Sequence, residues 1–375
     1  MTPSRTVENT PERLPKSVAD YRPASKPALG SPQLPDASTL FSLLKQVSRS
    51  FYLTLRVLPA PVRSQIGLAY LLARATDTVA DTRAIPLESR LATLSALRAR
   101  ILGQTAEPLS LNLFVERGGN DSYTVPPPAE RLLLQRIEEF LACLQTFSNA
   151  DRELIRIVLS IIVSGQELDL RRFGRATPNQ IVALANEQEL DDYTWRVAGC
   201  VGEFWTRICR AHLFPAMPLD ESPLIQNGIR FGKGLQLINI LRDLPADLRQ
   251  GRCYLPHDRL ATLGLNPSDL LNPVTYDRLR PLFDSLLATA QTHLDAGWQY
   301  TTALPKHCRR VRLACAWPIL IGVATLSKLR RTNVLDGSQR VKVTRREVRR
   351  MMAKSLLAQF WPPLWHRLFT RAKLV

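Results

Sequence analysis

The 375-residue chain has six cysteines, Cys143, Cys200, Cys209, Cys253, Cys308 and Cys315, and none forms a Cys-x-x-Cys pair. A chain this long can build its core without disulfides, so the thiols read as reduced and the expected compartment as cytoplasmic. Its five histidines show no ligand spacing, which argues against zinc. No strand leads into a Gly-x-Gly-x-x-Gly loop, so the common dinucleotide-binding motif is missing. Zinc-finger spacing, ribonucleoprotein motifs and helix-turn-helix signatures are missing too, and no nucleic-acid partner is expected. No apolar stretch of a secretory signal opens the chain. The longest apolar run, Leu313 to Leu326, is interrupted by Pro318 and closed by Arg312 and Lys328. It falls short of the ~20 residues of a membrane-spanning helix and reads as a buried one.

What is present begins with charge. The formal net charge of +17 calls for an anionic partner. Between Lys328 and Val375 stand 13 Lys and Arg against Asp336 and Glu347, so the excess is concentrated late in the chain. Phe360, Trp361, Trp365, Leu368 and Phe369 lie in the same segment, a mixture suited to an anionic membrane surface. A solvated basic helix with a few core-facing aromatics explains the pattern equally well. Residues 1–36 carry seven prolines without periodicity and read as a disordered arm. Gly118, Gly119 and Pro126 to Pro128 mark a loop between Gln104 and Pro128.

Beyond Asp36, apolar residues recur with helical period and strand-like alternation is scarce, so the fold class expected is all-α. Ile155, Val158, Leu159, Ile162 and Val163 form one stripe, with Asp151 as its expected cap. Two acidic motifs stand out, Asp77 with Asp81 and Asp243 with Asp247. Residues at i and i+4 share a helix face, so each pair offers hard oxygen ligands side by side, as Mg²⁺ bridging to a diphosphate requires. Arg74, Arg242 and Arg252 accompany them and could hold a released pyrophosphate. A single such pair more often lines a solvated helix face; the apolar stretch from Gly67 to Ala75 argues for a cleft instead. Gly232, Gln236, Asn239 and Asp243 make one polar helix face, and Pro245 is expected to kink or end that helix, leaving Asp247 less securely placed than Asp243. Gly199 and Gly202 would weaken a helix by ~1 kcal/mol each, which close helix approach would offset.

Ser48-Arg49-Ser50-Phe51, Tyr70 and Arg74 before Asp77 to Asp81, Tyr193 with Val197-Ala198-Gly199, and Gln236 to Asp247 followed by Gly251-Arg252 resemble, in this order, the squalene and phytoene synthases. The resemblance covers residues 38 to 352 and implies a single α-helical isoprenoid synthase domain, set at residues 37–352, around a central channel. Residues 353–375 are expected to form a separate basic tail with a peripheral membrane contact. Asp77 to Asp81, Ala324-Thr325-Leu326 and Val341 to Arg345 look squalene-like, whereas Gly165 to Phe173 and Tyr254-Leu255-Pro256 look phytoene-like.

The resemblance implies head-to-head condensation of two farnesyl diphosphates through presqualene diphosphate, with NADPH reduction to squalene. It places Mg²⁺ on Asp77, Asp81, Asp243 and Asp247, with Gln236 and Asn239 in support. Ser48, Arg49, Arg74, Arg242 and Arg252 would hold diphosphate, Tyr193 would stand near the proton transfer with pyrophosphate as the competing base, and Tyr70 and Phe51 would present aromatic faces that keep water from the cations. NADPH rests on the resemblance alone. Phytoene, dehydrosqualene or hydroxysqualene synthesis without NADPH is the alternative, and a helical membrane-binding scaffold is the reading from another class. Oligomeric state is not legible.

Overall fold

A computed structural model describes residues 37–48, 51–116, 126–339 and 341–373. The arm over residues 1–36 and part of the expected loop, residues 117–125, lie outside the described residues. Two helices, α1 (Ala37–Val47) and α2 (Phe51–Val57), lead into α3 (Ala60–Asp81) and α4 (Leu87–Leu102). Then come α5 (Asn112–Glu116), α6 (Pro128–Gln135), α7 (Ile137–Gln145) and α8 (Asn149–Phe173). Strand β1 (Val182–Leu184) precedes α9 (Glu187–Thr194), a π-helical turn over Trp195–Gly199, and α10 (Cys200–Leu213). Next are α11 (Glu221–Leu248), β2 (Arg252–Pro256), α12 (His257–Thr262) and α13 (Tyr276–Ala303). The chain closes with α14 (Arg309–Leu329), α15 (Arg345–Ala358) and α16 (Pro362–Lys373).

The fold is all-α, as the periodicity predicts; β1 and β2 form one short parallel pair. The α8 stripe is buried along its length, and each such Leu, Ile or Val contributes about 1.5–3 kcal/mol. Its cap is Ser148, which accepts from the Asp151 amide at 3.1 Å. Asp151, expected as the cap, is instead drawn inward to His212 Nε2 at 2.8 Å and Gln65 Nε2 at 3.3 Å. Two apolar clusters form, one mainly from α1–α8 and α10 and one mainly from α11–α16, with Phe231 of α11 packed against both.

Three expectations change. Helix α11 runs through Pro245 to Leu248, because loss of one N–H is outweighed by packing of Leu241, Leu244 and Leu248. Helix α14 spans 21 residues through Pro318, so its length no longer falls short of a membrane span, but its reading as a buried helix holds, with 78% of its apolar window inside this fold. The boundary expected at 352/353 falls inside α15, so no separate tail begins there. Thr344 and Glu347 form a capping box that starts α15, and Ser355 accepts from Trp317 Nε1 of α14 at 2.9 Å. Trp365 and Phe369 of α16 stack on Trp298 at centroid distances of 5.2 and 4.9 Å, anchoring the C-terminal helices to α13.

Glycine makes one helix contact possible. A Cβ on Gly202 would lie 1.9 Å from the Gly228 carbonyl oxygen, and one on Gly232 would lie 2.3 Å from that of Ala198. The backbone of α11 therefore touches those of α10 and of the π-helical turn before it, which accounts for the glycines at 202, 228 and 232.

Candidate active site

Three of these helices end together. Asp77 and Asp81 lie in the last two turns of α3, Asp169 in the last turns of α8, and Asp243 and Asp247 in the last turns of α11. Helix C-termini carry partial negative charge, so acids placed there deepen the negative potential and call for a cation. Gly251, at φ 79°, then turns the chain from α11 into β2. Along β2 side chains alternate: Cys253 is buried in the core, while Arg252 and Tyr254 face a cavity.

That cavity measures about 570 Å³. Its polar wall includes Arg74, Asp77, Asp81, Asp169, Arg252 and Tyr254, and elsewhere apolar residues such as Ile162, Val197, Val201, Trp205, Phe231 and Leu235 line it. Tyr70, Arg74, Asp77 and Asp81 reach it from one face of α3, and Gly228, Gly232, Gln236 and Asn239 from one face of α11.

At the polar wall Arg252 lies between two acids, 3.9 Å from Asp81 and 3.5 Å from Asp169. Tyr254 donates to Asp169 at 2.9 Å and stacks on Tyr193 at 4.8 Å. Arg74 pairs with Asp77 at 2.7 Å and with Glu130 at 2.5 Å. Phe51 stacks on Tyr70 at 4.9 Å. Arg74 Nε and Arg252 Nε are buried donors without a protein acceptor, and Gln166 Oε1 is a buried acceptor without a donor. Two guanidinium groups at an acidic, cation-seeking wall fit a ligand that brings metal and anionic oxygen together.

Electrostatics supports that fit. Asp77 is held well above the usual carboxylate range, first by burial and then by Asp81, although its carboxylate opens on the cavity. Burial raises Asp247 to about 7 against the pull of Arg252, with Asp243, Asp169 and Asp81 adding repulsion. Burial raises Asp169 to about 6, against Arg252 and the Tyr254 hydroxyl. For Arg74 burial works downward, but Asp77 and Glu130 outweigh it and keep the guanidinium charged. Burial, and next Asp169, pushes the Tyr193 phenol above its ordinary value.

An acid whose folded pKa is raised holds its proton in the native state over a range where the unfolded chain has lost it. Asp77, Asp169 and Asp247 therefore lower native stability as pH rises from about 4 to 7. Cation binding must displace those protons. Titrating Mg²⁺ with inorganic pyrophosphate into the protein at pH 6, in two buffers of different ionisation enthalpy, should show proton release that fades by pH 8. Equal heats in both buffers at pH 6 would contradict it.

Among the described residues, no three carboxylate, His or Cys side chains meet closely enough to cage a metal alone. Mg²⁺ favours one or two carboxylates with the remaining oxygens from water and substrate phosphate, so the paired acids on α3 and α11 suit it.

The structure brings Phe51, Tyr70, Arg74, Asp77, Asp81, Tyr193, Gln236, Asn239 and Arg252 to the cavity, as expected from sequence. Ser48 is not among its lining residues; its hydroxyl donates to the Leu44 carbonyl, a backbone role rather than a diphosphate contact. Arg242 chelates Asp243 at 2.8 and 2.5 Å, and neither lines the cavity. Asp247, expected to be the less secure of its pair, does not line the cavity either, but it lies within electrostatic reach of Asp81, Asp169 and Arg252. Arg49 lies outside the described residues. Sequence reasoning missed Asp169, Gln166, Tyr254 and Glu130. The signals were Gln166 and Asp169 on one face at the polar end of the α8 stripe, and Tyr254 two residues after Arg252.

The chain is similar to known proteins. The squalene/phytoene synthase family profile matches residues 44–347. A bifunctional lycopene cyclase/phytoene synthase of Leptosphaeria maculans is 28% identical over 300 residues, 79% of this chain and 46% of its own. The presqualene diphosphate synthase of Rhodopseudomonas palustris is 31% identical over 220 residues, 59% of this chain and 62% of its own. The chain thus spans about half the length of the bifunctional relative. In fold it is similar to TcSQS in complex with the ligand BPH1237, with TM-score 0.71 and 23% identity over 89% of this chain and 90% of the other.

Proposed function

The chain belongs to the squalene/phytoene synthase family, and we propose that it is a prenyltransferase condensing two farnesyl diphosphates head to head and reducing the product to squalene. The observation that supports this most is one cavity with a polar wall, built from the acidic ends of α3 and α8 with Arg74 and Arg252 and with Asp247 of α11 within electrostatic reach, while its other walls are apolar. A diphosphate head and a prenyl chain need those two environments.

Mg²⁺ on Asp77, Asp81, Asp243 and Asp247 would neutralise diphosphate charge and so ease its departure. Arg74 and Arg252, both on the polar wall, would hold the released pyrophosphate. The stacked Phe51 and Tyr70 offer aromatic faces to the allylic cation, and Val197, Val201 and Leu235 keep water from trapping it. Tyr193, its phenol held protonated, orients the site by hydrogen bonding, and pyrophosphate is the better base for the cyclopropane-forming proton loss. NADPH, tied to the squalene reading, would supply the hydride that ends the reaction. The placement proposed is cytoplasmic and peripheral to a membrane.

A second reading follows from the mixed relatives: the reaction stops at presqualene diphosphate, or proceeds to a phytoene-type product without NADPH. Incubation with farnesyl diphosphate, Mg²⁺ and NADPH, then lipid chromatography, should give squalene. A cyclopropyl diphosphate, an alcohol or an NADPH-independent polyene as end product would overturn the squalene assignment and leave the condensation standing.

A further inference from the structure

Five of the nine large hydrophobic side chains exposed among the described residues fall between positions 356 and 364: Leu356, Leu357, Phe360, Trp361 and Leu364. Leu357 is 72% exposed, Phe360 62% and Trp361 69%. They occupy the corner where α15 passes into α16, while the opposite faces of the same helices, at Ser355, Ala358, Trp365 and Phe369, are buried against α13 and α14. The inner faces of both helices are thus packed while the apolar tip stays uncovered.

The surroundings choose the occupant. Between 345 and 373 stand eight Lys and Arg against Glu347 alone. The exposed group includes Arg349, Arg350, Lys354 and Arg367, and the Arg309 guanidinium sits 4.7 Å over the Phe360 ring. An aromatic tip ringed by cations matches an anionic bilayer, where rings enter the interface and Lys and Arg meet lipid phosphates. A second copy of this chain is disfavoured, because joining two such corners opposes like charge on a protein of net charge +17. We propose that the α15–α16 corner, through Leu357, Phe360, Trp361 and the cations around them, docks the protein on an anionic lipid surface. This deepens the peripheral placement proposed above but rests on the surface alone, not on which product is made.

The test is sedimentation of the full chain with substrate-free vesicles, either pure phosphatidylcholine or about one-third phosphatidylglycerol. The wild type should pellet with the anionic vesicles and remain in solution with the neutral ones. The double variant Phe360→Ser with Trp361→Ser should lose about tenfold or more of that binding. Its thermal transition and its turnover of farnesyl diphosphate in detergent should match the wild type, which separates lost docking from lost folding or chemistry. Equal binding to neutral vesicles, no binding at all, or binding untouched by the double variant would overturn the proposal. So would a dimer in lipid-free ultracentrifugation that the double variant abolishes, since it would assign the corner to a second copy.

Discussion

Replacing Asp77 with alanine is expected to slow pyrophosphate release from farnesyl diphosphate on the order of a thousandfold, the scale on which a preorganised charge at a reacting centre acts. The variant removes one of the two α3 carboxylates facing the cavity and leaves Arg74 with Glu130 as its remaining acid partner. Stability should move the other way. Burial and the neighbouring Asp81 make the Asp77 charge unfavourable in the metal-free fold, so its loss should leave the thermal transition unchanged or raise it at pH 8. A coupled pyrophosphate assay with circular dichroism checks both halves. Turnover near wild type would remove Asp77 from the reaction.

Gly202→Val carries the largest expected structural effect. Its Cβ would fall 1.9 Å from the Gly228 carbonyl oxygen and 2.8 Å from the Ile229 amide nitrogen. These are backbone atoms, so no rotamer change relieves the clash and α10 must move away from α11. Overpacking of this kind costs about 3 kcal/mol or more, and several degrees of thermal stability. Activity should fall as well, because α10 and α11 both line the cavity and α11 carries Asp243 and Asp247. A melting temperature equal to wild type, measured by calorimetry, would show that the contact is looser than described.

How legible all this was depended on whether a residue's meaning is local. Asp77 with Asp81, and the face from Gly232 through Gln236 to Asn239, could be read because helical spacing alone sets them side by side. Gly199 and Gly202 could be read as a close approach, though not with which partner; that needed Gly228 and Gly232 of α11. Asp169 escaped because a lone acid near a helix end looks like any solvated carboxylate until tertiary packing sets it beside Arg252 and Tyr254. Pro245 misled for a related reason: proline disfavours a helix interior by ~3 kcal/mol, yet the leucines flanking it are buried well enough to carry the helix through. The late aromatics show the same limit. Trp365 and Phe369, four apart on one face, turn into the core, whereas Phe360 and Trp361 at the corner turn out, and composition alone cannot divide them.

The account rests on acids from separate helices gripping metal and diphosphate at one end of an apolar cavity. The direct test is a crystal structure with Mn²⁺ and an unreactive thiodiphosphate analogue of farnesyl diphosphate, using anomalous scattering to locate the metal. Manganese peaks should lie within about 2.2 Å of carboxylate oxygens of Asp77 or Asp81 and of Asp243 or Asp247, with diphosphate oxygens on Arg74 and Arg252 and the prenyl chain against Val197, Val201 and Leu235. An analogue bound with its diphosphate away from these helix ends, and no metal on either aspartate pair, would contradict the account.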